Sequence, residues 1–149
     1  MRTMATYRLV GREGSVAEIT DFLQIAPTRV GEIGDLISKR SPKPRYREEW
    51  IWLLESSTDH HPTREELADH LHRLLDILEP VADRLHQLES RGIWANWFSF
   101  VASSATEHAV ELDRDLMNRL LLVPGELWLD VCGDDDDSAT PGSGPALIT

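Results

Sequence analysis

The sequence contains one cysteine, Cys132, and no apolar run of the roughly 20 residues that a membrane-spanning helix needs. A single cysteine excludes an intramolecular disulfide and any multi-cysteine zinc or iron–sulfur site. The first residues lead directly into a strand-like pattern, without the apolar core of a signal peptide. We therefore expect a soluble, cytoplasmic protein that makes no membrane contact.

Basic residues are scarce, since 15 Lys and Arg stand against 26 Asp and Glu and the formal net charge is -11. Sequence-independent affinity for nucleic acid comes from Lys and Arg, so this charge argues against a nucleic-acid partner. It is compatible with a basic protein partner. Four aspartates at 134–137 open a segment rich in Gly, Pro and Ser, and we predict that residues 134–149 are disordered. Residues 1–133 are then expected to form a single folded domain.

Catalytic signatures are missing as well. The sequence has no Gly-x-Ser-x-Gly elbow, no phosphate-binding Gly-Lys-Ser/Thr loop and no Gly-x-Gly-x-x-Gly turn. The segment from Gly11 to Gly14 is similar to the Gly-x-x-Gly loop of a KH domain, but it pairs Arg12 with Glu13 and follows a strand-like pattern. Cys132 adjoins four aspartates, which disfavour a reactive thiolate. We expect no catalytic residue and no cofactor, and we lean against an enzyme.

Six histidines invite a metal interpretation. His70 and His72 are two residues apart on a predicted helix, so they point in nearly opposite directions and cannot hold one ion together. His60 and His61 adjoin the turn at Pro62, where exposed polar residues are common. We expect no metal site, and we expect His70 to be a partly buried residue that packs beside Leu67, Leu71 and Leu74.

Hydrophobic spacing predicts alternating strands and helices. Strands are expected at residues 5–10, 49–56, 93–101, 109–112 and 127–132, with a short strand or turn at 28–37. Capping boxes at Ser15–Glu18 and at Thr63–Glu66 predict two helix starts, and Asp113 predicts a third. The stripe that follows Thr63 continues through Pro80 without losing phase, which indicates one kinked helix or two helices end to end; it comprises Leu67, Leu71, Leu74, Leu78, Val81, Leu85 and Leu88.

This order of elements predicts an α+β fold. A mostly antiparallel sheet would carry the helices on one face, in a ferredoxin-like arrangement with an added strand–helix–strand.

The sequence also resembles an uncharacterised, mainly bacterial family, domain of unknown function 4279. The features that carry the resemblance span about residues 5–131 and are Gly11, residues 18–20 and 23–29, Gly34 with Asp35, Trp50, and the segment 70–80 with its leucines, Glu79 and Pro80. One departure is Ala26, where family members tend to have glycine. The resemblance implies a small α+β domain without a known activity or cofactor.

The candidate binding residues are Arg29, Asp35, Trp50, Trp52 and His70. The loop at 28–35 has a structural interpretation, in which Arg29 pairs with Asp35 and the glycines allow tight turns. It also has a functional one, because Arg and Trp are enriched at interface hot spots. The basic segment at 39–47 would then form the rim of a recognition surface.

Our leading hypothesis is a non-enzymatic module that binds another protein, with a regulatory or immunity-like role as a narrower guess. The alternative is a small-ligand-binding or catalytic domain with a pocket between the long helix and the sheet, near Trp50, Arg29 and His70. The sequence leaves the partner and the oligomeric state open.

Overall fold

A five-stranded sheet forms the centre of the protein. The computed structural model describes residues 1–38, 42–104 and 108–133, so the predicted tail at 134–149 lies outside the described residues. In sheet order the strands are β2 (Arg29–Gly31), β5 (Trp50–Glu55), β1 (Arg2–Gly11), β6 (Trp94–Ser103) and β7 (Glu126–Gly133). Strands β3 (Leu36–Ser38) and β4 (Arg45–Tyr46) pair with each other in a separate small sheet.

The helices are α1 (Val16–Leu23), α2 (Leu67–Leu78), α3 (Ala82–Ser90) and α4 (Arg114–Leu122). Helix α1 begins where Ser15 Oγ accepts the N–H of Glu18 at 3.2 Å. Helix α4 begins where Asp113 Oδ1 accepts the N–H of Leu116 at 2.8 Å. Both caps satisfy backbone donors that have no partner inside the helix, as the sequence predicts.

The expected break at Pro80 is confirmed. A 3-10 turn at Glu79–Val81 separates α2 from α3, because proline has no N–H to continue the α-helical ladder. The two helices follow each other end to end, and the stripe stays in phase across the turn. After α3 the chain turns at Gly92, whose φ of 88° is readily adopted only by glycine.

The topology confirms the predicted fold class. Strand β1 is antiparallel to both β5 and β6, so β5 and β6 run in the same direction with β1 between them. The helices α2 and α3 connect β5 to β6, and this split β-α-β unit is the hallmark of ferredoxin-like folds. Strand β7 pairs in parallel with β6 after α4, which supplies the added strand–helix–strand.

The main core lies between the helices and one face of the sheet. The leucines of α2 and α3 form one buried cluster with Tyr7, Trp52 and Trp97. The rings of Tyr7 and Trp97 meet edge to face, 4.8 Å apart. The Tyr7 hydroxyl donates to the carbonyl oxygen of Pro124 at 2.8 Å, and burial raises the pKa of Tyr7. This hydrogen bond ties the central strand to the loop between α4 and β7.

A smaller cluster of Met4, Phe100 and Ala102 lies on the opposite face of the sheet. On this face the guanidinium of Arg8 lies 4.5 Å from the ring centre of Phe98. Arg8 Nε donates to Asn96 Oδ1 at 2.8 Å, and burial lowers the pKa of Arg8 to about 10. None of the helices in the described ranges is both long and apolar enough to cross a lipid bilayer.

Two local predictions are wrong. Residues 109–112 form no strand, because β7 pairs with β6 from Asn96 to Ser103. Val110 and Leu112 are only partly buried and pack against the core. Thr63 does not cap α2, which starts at Leu67 after Glu66. Thr63 instead exchanges backbone hydrogen bonds with Thr3 of β1 at 2.8 and 2.9 Å, so its backbone is held by the sheet rather than by the helix.

We expect the substitution Tyr7→Phe to lower the free energy of unfolding by about 1–3 kcal/mol, because it leaves the buried carbonyl of Pro124 without its partner. Chemical denaturation at neutral pH measures the loss. Tyr46→Phe is the matched control, since Tyr46 is exposed and should change stability by less than about 0.5 kcal/mol. Equal effects of the two substitutions would contradict a stabilising role for this hydrogen bond.

Candidate functional site

The two tryptophans predicted to bind a partner lie in the core. Trp50 and Trp52 are fully buried, and their indole N–H groups donate to Glu13 O at 2.9 Å and to Thr20 Oγ1 at 3.2 Å. Gly11 is required beside Trp50, since a Cβ at this position would collide with the indole ring. His70 is also fully buried, so three of the five candidate binding residues have no surface that a partner could reach.

Arg29 and Asp35 do not pair. Arg29 Nη2 lies 2.6 Å from Glu55 Oε1, and the side chain of Glu55 also contacts His60. Arg29 stands opposite Leu53 in the β2–β5 ladder, which places it on the same face of the sheet as Glu55. Asp35 Oδ2 instead accepts the N–H of Glu32 at 2.7 Å and closes a turn. The predicted Arg29–Asp35 ion pair is therefore wrong.

His70 is the centre of a buried hydrogen-bond network. Its Nδ1 lies 2.8 Å from Ser56 Oγ and its Nε2 lies 2.9 Å from Thr63 Oγ1. Burial is the main cause that lowers the pKa of His70. A neutral ring satisfies both hydroxyls, because one nitrogen donates and the other accepts.

The Ser56–His70 pair has the spacing of a nucleophile and its base. However, the Ser56 hydroxyl is buried and already accepts the N–H of Ala5 at 3.0 Å. Nearby, Arg73 donates to the Ser56 carbonyl oxygen at 2.9 Å and to Glu65 at 2.7 Å. We interpret the network as structural, because it joins the end of β5, the segment at Thr63 and helix α2.

An irregular extension at the β2 edge carries exposed apolar groups. We call it the arm and define it as the described residues 29–38 and 42–47. Its turn at Gly34 is closed by the hydrogen bonds from Gly34 N to Arg47 O and from Arg47 N to Asp35 O, both 2.8 Å long. Gly31 gives room where the arm joins the sheet, since a Cβ there would lie 2.8 Å from Cγ2 of the buried Ile51.

The arm combines apolar anchors with positive charge. Its exposed apolar side chains are between 39% and 57% accessible and comprise Val30, Ile33, Leu36, Ile37 and Tyr46. Lys43 and Arg45 are exposed beside them, and Arg47 is half-buried. The sequence from 29 to 47 contains six basic and two acidic residues, in a chain of net charge -11. Lys39 and Arg40 of the predicted basic rim lie outside the described residues.

A cleft of about 930 Å³ lies at the end of the sheet where β1 meets β6 and β7. It is lined by the indoles of Trp94 and Trp128, whose ring centres are 5.5 Å apart. The charged residues in its wall are Glu13, Glu18, Glu49 and Glu126 with Arg12 and Arg91. Arg12 is paired with Glu49 at 2.9 Å, so the other groups leave the cleft with more negative than positive charge.

Metal-binding groups are dispersed. Among the residues that the structure describes, no three His, Cys, Asp or Glu side chains gather where they could hold one ion. His70 faces Ser56 and Thr63, whereas His72 Nδ1 lies 2.7 Å from Arg119 Nη1 on the other side of α2. The two histidines therefore do not converge on a common ligand position.

The fold and these surfaces define a small α+β domain with a filled core, an apolar and basic arm at one edge of the sheet, and a cleft at its end. The chain belongs to the family Domain of unknown function (DUF4279), whose model matches residues 1–133. This confirms the resemblance inferred from the sequence. No curated protein and no solved structure matches the chain.

The lowered pKa of His70 makes stability depend on pH. Because the neutral ring is favoured in the folded state, we expect stability to be highest above the ordinary pKa of 6.5 and to fall as the pH drops below it. His70→Gln should cost about 1–3 kcal/mol at pH 7.5 and make the decline between pH 7.5 and 5.5 shallower. Urea unfolding at both pH values measures this.

His61→Gln is the control for the other histidines, since His61 is exposed. It should change the stability at pH 7.5 by less than about 0.5 kcal/mol. If His70→Gln kept the full decline of the wild type, the pH dependence would have to come from another group.

Proposed function

We propose that this protein is a non-enzymatic interaction module that binds another protein through the arm. The observation that carries the proposal is the set of five exposed apolar side chains on a short structured extension. Large apolar side chains that are exposed together on one segment often mark a site where a partner binds. Tyr46 and the arginines of the arm are residue types that dominate the energy of protein interfaces.

The charge of the arm indicates the chemistry of the partner. Lys43, Arg45 and Arg47 give a positive border to the apolar side chains, although the chain as a whole is acidic. An acidic surface with an apolar centre would be attracted to this border, while most of this protein would repel it. We therefore favour a partner that presents acidic and apolar residues together, rather than the basic partner compatible with the average charge.

The base of the arm is held in place before binding. The Thr28 N–H donates to Leu53 O at 2.8 Å, and Thr28 Oγ1 accepts the N–H of Glu55 at 2.9 Å. The Arg29–Glu55 pair adds a contact whose carboxylate is fully buried. A surface that is already ordered loses less conformational entropy on binding, so its apolar contacts contribute more to affinity.

A protein partner suits this surface better than a nucleic acid. Apolar side chains such as Ile33 and Leu36 give no affinity for phosphate, which depends on Lys and Arg. The net charge of -11 further repels a polyanion outside the arm. A regulatory or immunity-like role is the one that we favour, because the protein is small and acidic and its sequence contains none of the common catalytic motifs. The single cysteine is typical of a cytoplasmic protein.

The test is an affinity capture from lysate of the native host, with the full-length wild type and the double variant Ile33→Ala/Tyr46→Ala. We expect the wild type to retain one protein in a stoichiometric amount, and we expect the arm variant to retain at least about tenfold less of that protein. The reason is that truncation of an interface anchor costs over 1 kcal/mol. The matched control is Ile77→Ala/Met117→Ala, which truncates two side chains on α2 and α4 that are also exposed, by 42% and 48%. All three proteins should melt at similar temperatures.

Several results would overturn the proposal. Equal retention by the arm variant and the control variant would place binding elsewhere, and retention of nucleic acid in place of protein would change the class of partner. A variant with asparagine at positions 134–137 tests whether the chain's own aspartates occupy the arm. If they do, the asparagine variant would bind the captured protein severalfold more tightly than the wild type.

A second candidate function is the binding of a small ligand in the cleft at the end of the sheet. The Trp94–Trp128 pair favours it, because indole faces bind cations and the carboxylates of the wall add negative charge. We would expect an organic cation, such as an alkylammonium or guanidinium compound, rather than an anion.

A thermal-shift comparison of organic cations and anions tests this candidate. A ligand at about 100 times its dissociation constant stabilises the folded state by about 2.7 kcal/mol, which is a measurable rise in melting temperature. The rise should disappear in Trp128→Ala and persist in Tyr46→Ala. A response to anions alone, or one that survives Trp128→Ala, would contradict binding in this cleft.

A further inference from the structure

The outer edge of β7 is long and apolar. Eight residues of β7 run parallel to β6, and no other strand in the described ranges pairs with β7. On the face of the sheet that carries the helices, Leu127, Leu129 and Val131 are 36%, 49% and 68% exposed. An exposed, apolar edge strand is a template for pairing with another strand.

Most of the features that normally protect such an edge are missing from β7. Proteins block edge pairing with proline, with lysine or with charged side chains that point inward. The strand contains neither proline nor lysine, and its two charged residues, Glu126 and Asp130, lie on the other face from the leucines. Just before β7, the end of α4 adds Leu121 and Leu122, which are also largely exposed.

We propose that two copies of this chain associate through β7, which pairs in antiparallel fashion with β7 of the second copy about a two-fold axis at Leu129. The two five-stranded sheets then form one continuous sheet. This interface is isologous, because the same patch is used by both subunits. Main-chain hydrogen bonds along the two edges add to the burial of the leucines.

The sequence of β7 is self-complementary in this register. Leu129 faces Leu129 of the partner subunit, and Leu127 faces the partner's Val131, so one face of the new ladder is entirely apolar. On the other face Trp128 stands opposite the partner's Asp130. Glu126 stands opposite the partner's Cys132. No carboxylate faces another carboxylate.

The neighbouring registers are less favourable. A two-fold axis at Trp128 places Glu126 opposite the partner's Asp130, and an axis at Asp130 places the two copies of that residue opposite each other. Like charges directly opposite in an antiparallel pair are destabilising. Axes at Leu127 or Val131 shorten the paired segment to three or five residues of β7. The axis at Leu129 pairs the seven residues from 126 to 132, and it places no two like charges opposite each other.

The dimer leaves the arm free. Strand β2, which carries the arm, forms the opposite edge of the sheet from β7. Two arms would therefore lie at the two ends of the combined sheet. The dimer does not depend on the function proposed for the arm, and variants of one surface should not affect the other.

The test uses position-specific disulfide formation in the full-length chain. In a Cys132→Ser background, Leu129→Cys places a cysteine on the two-fold axis, where directly opposed Cα atoms are about 4.5–5.5 Å apart, within the range of a disulfide. With diamide as the oxidant, we expect most of this variant to become a covalent dimer. In the same background, Val131→Cys places the two thiols four residues out of register, about 13 Å apart along the strand.

The control is stringent because Val131 is more exposed than Leu129, so random collisions would link Val131→Cys at least as efficiently. Equal linkage at both positions, or linkage of Val131→Cys alone, would overturn the proposed register. If neither variant forms a disulfide-linked dimer and light scattering shows a monomer up to several hundred micromolar, the proposal of a dimer would be overturned.

A second measurement needs no cysteine. Sedimentation of the full-length wild type should show a dimer, and Leu129→Glu should shift its dissociation constant upward by at least about a hundredfold, because two carboxylates would then meet on the axis. Ile33→Ala/Tyr46→Ala should remain as dimeric as the wild type. A dimer that was lost on altering the arm but not on Leu129→Glu would place the interface at the arm and overturn the proposal.

Discussion

The packing of the leucine stripe against the aromatic face of the sheet is the constraint on which the rest of the structure depends. The stripe of α2 and α3 covers Tyr7, Trp52 and Trp97, which belong to the central strands β1, β5 and β6. Each fully buried leucine contributes about 1.5–3 kcal/mol relative to an exposed one. In this contact the helices cover one face of the sheet, and on that face they lie over the three central strands. The outer strands β2 and β7 therefore have little cover. In the described part of the chain, most of the exposed large apolar side chains lie on the arm or on β7.

Polar contacts fix the position of the helices once the apolar contacts have brought them to the sheet. His70 connects α2 to the end of β5 through Ser56 and to β1 through the segment at Thr63. On the other side of α2, Arg119 of α4 makes two hydrogen bonds to Glu79, at 2.7 and 3.1 Å, and one to Asp76. These bonds raise the pKa of Arg119 and lower that of Glu79. Apolar packing has little directional preference, so these few hydrogen bonds and ion pairs define where the helices lie on the sheet.

Contacts between neighbours in sequence could be predicted, and contacts between distant segments could not. The caps at Ser15 and Asp113, the break at Pro80 and the leucine stripe depend on residues within one or two helical turns, and each is confirmed. The strand predicted at 109–112 failed because β7, some 20 residues further along the chain, takes the edge of β6. No local pattern distinguishes these two apolar segments as partners for β6.

The candidate site shows the same difference between local contacts and contacts over a long sequence distance. Thr63 satisfies the local rule for a helix cap, yet its pairing with Thr3, 60 residues away in sequence, decides its conformation. Arg29 and Asp35 are close in sequence, but the sheet places Glu55 nearer to the guanidinium. The sequence marks the loop at 28–35 and the basic segment at 39–47 as a candidate recognition surface, whereas the tryptophans assigned to the same surface are buried. Composition can indicate that aromatic residues are available for binding, but only the register of β5 decides which face they occupy.

The two edges of the sheet differ in physical character, and this difference separates their possible roles. The arm is basic within an acidic protein, so attraction to an acidic surface would weaken as salt screens it over about 8–10 Å. Strand β7 is apolar, so its contacts do not depend on opposite charge. Salt would instead favour association of two chains that each carry a net charge of -11, because it reduces their repulsion. Self-association and partner binding can therefore respond in opposite directions to the same change of ionic strength, although both surfaces arise from one core that covers only the central strands.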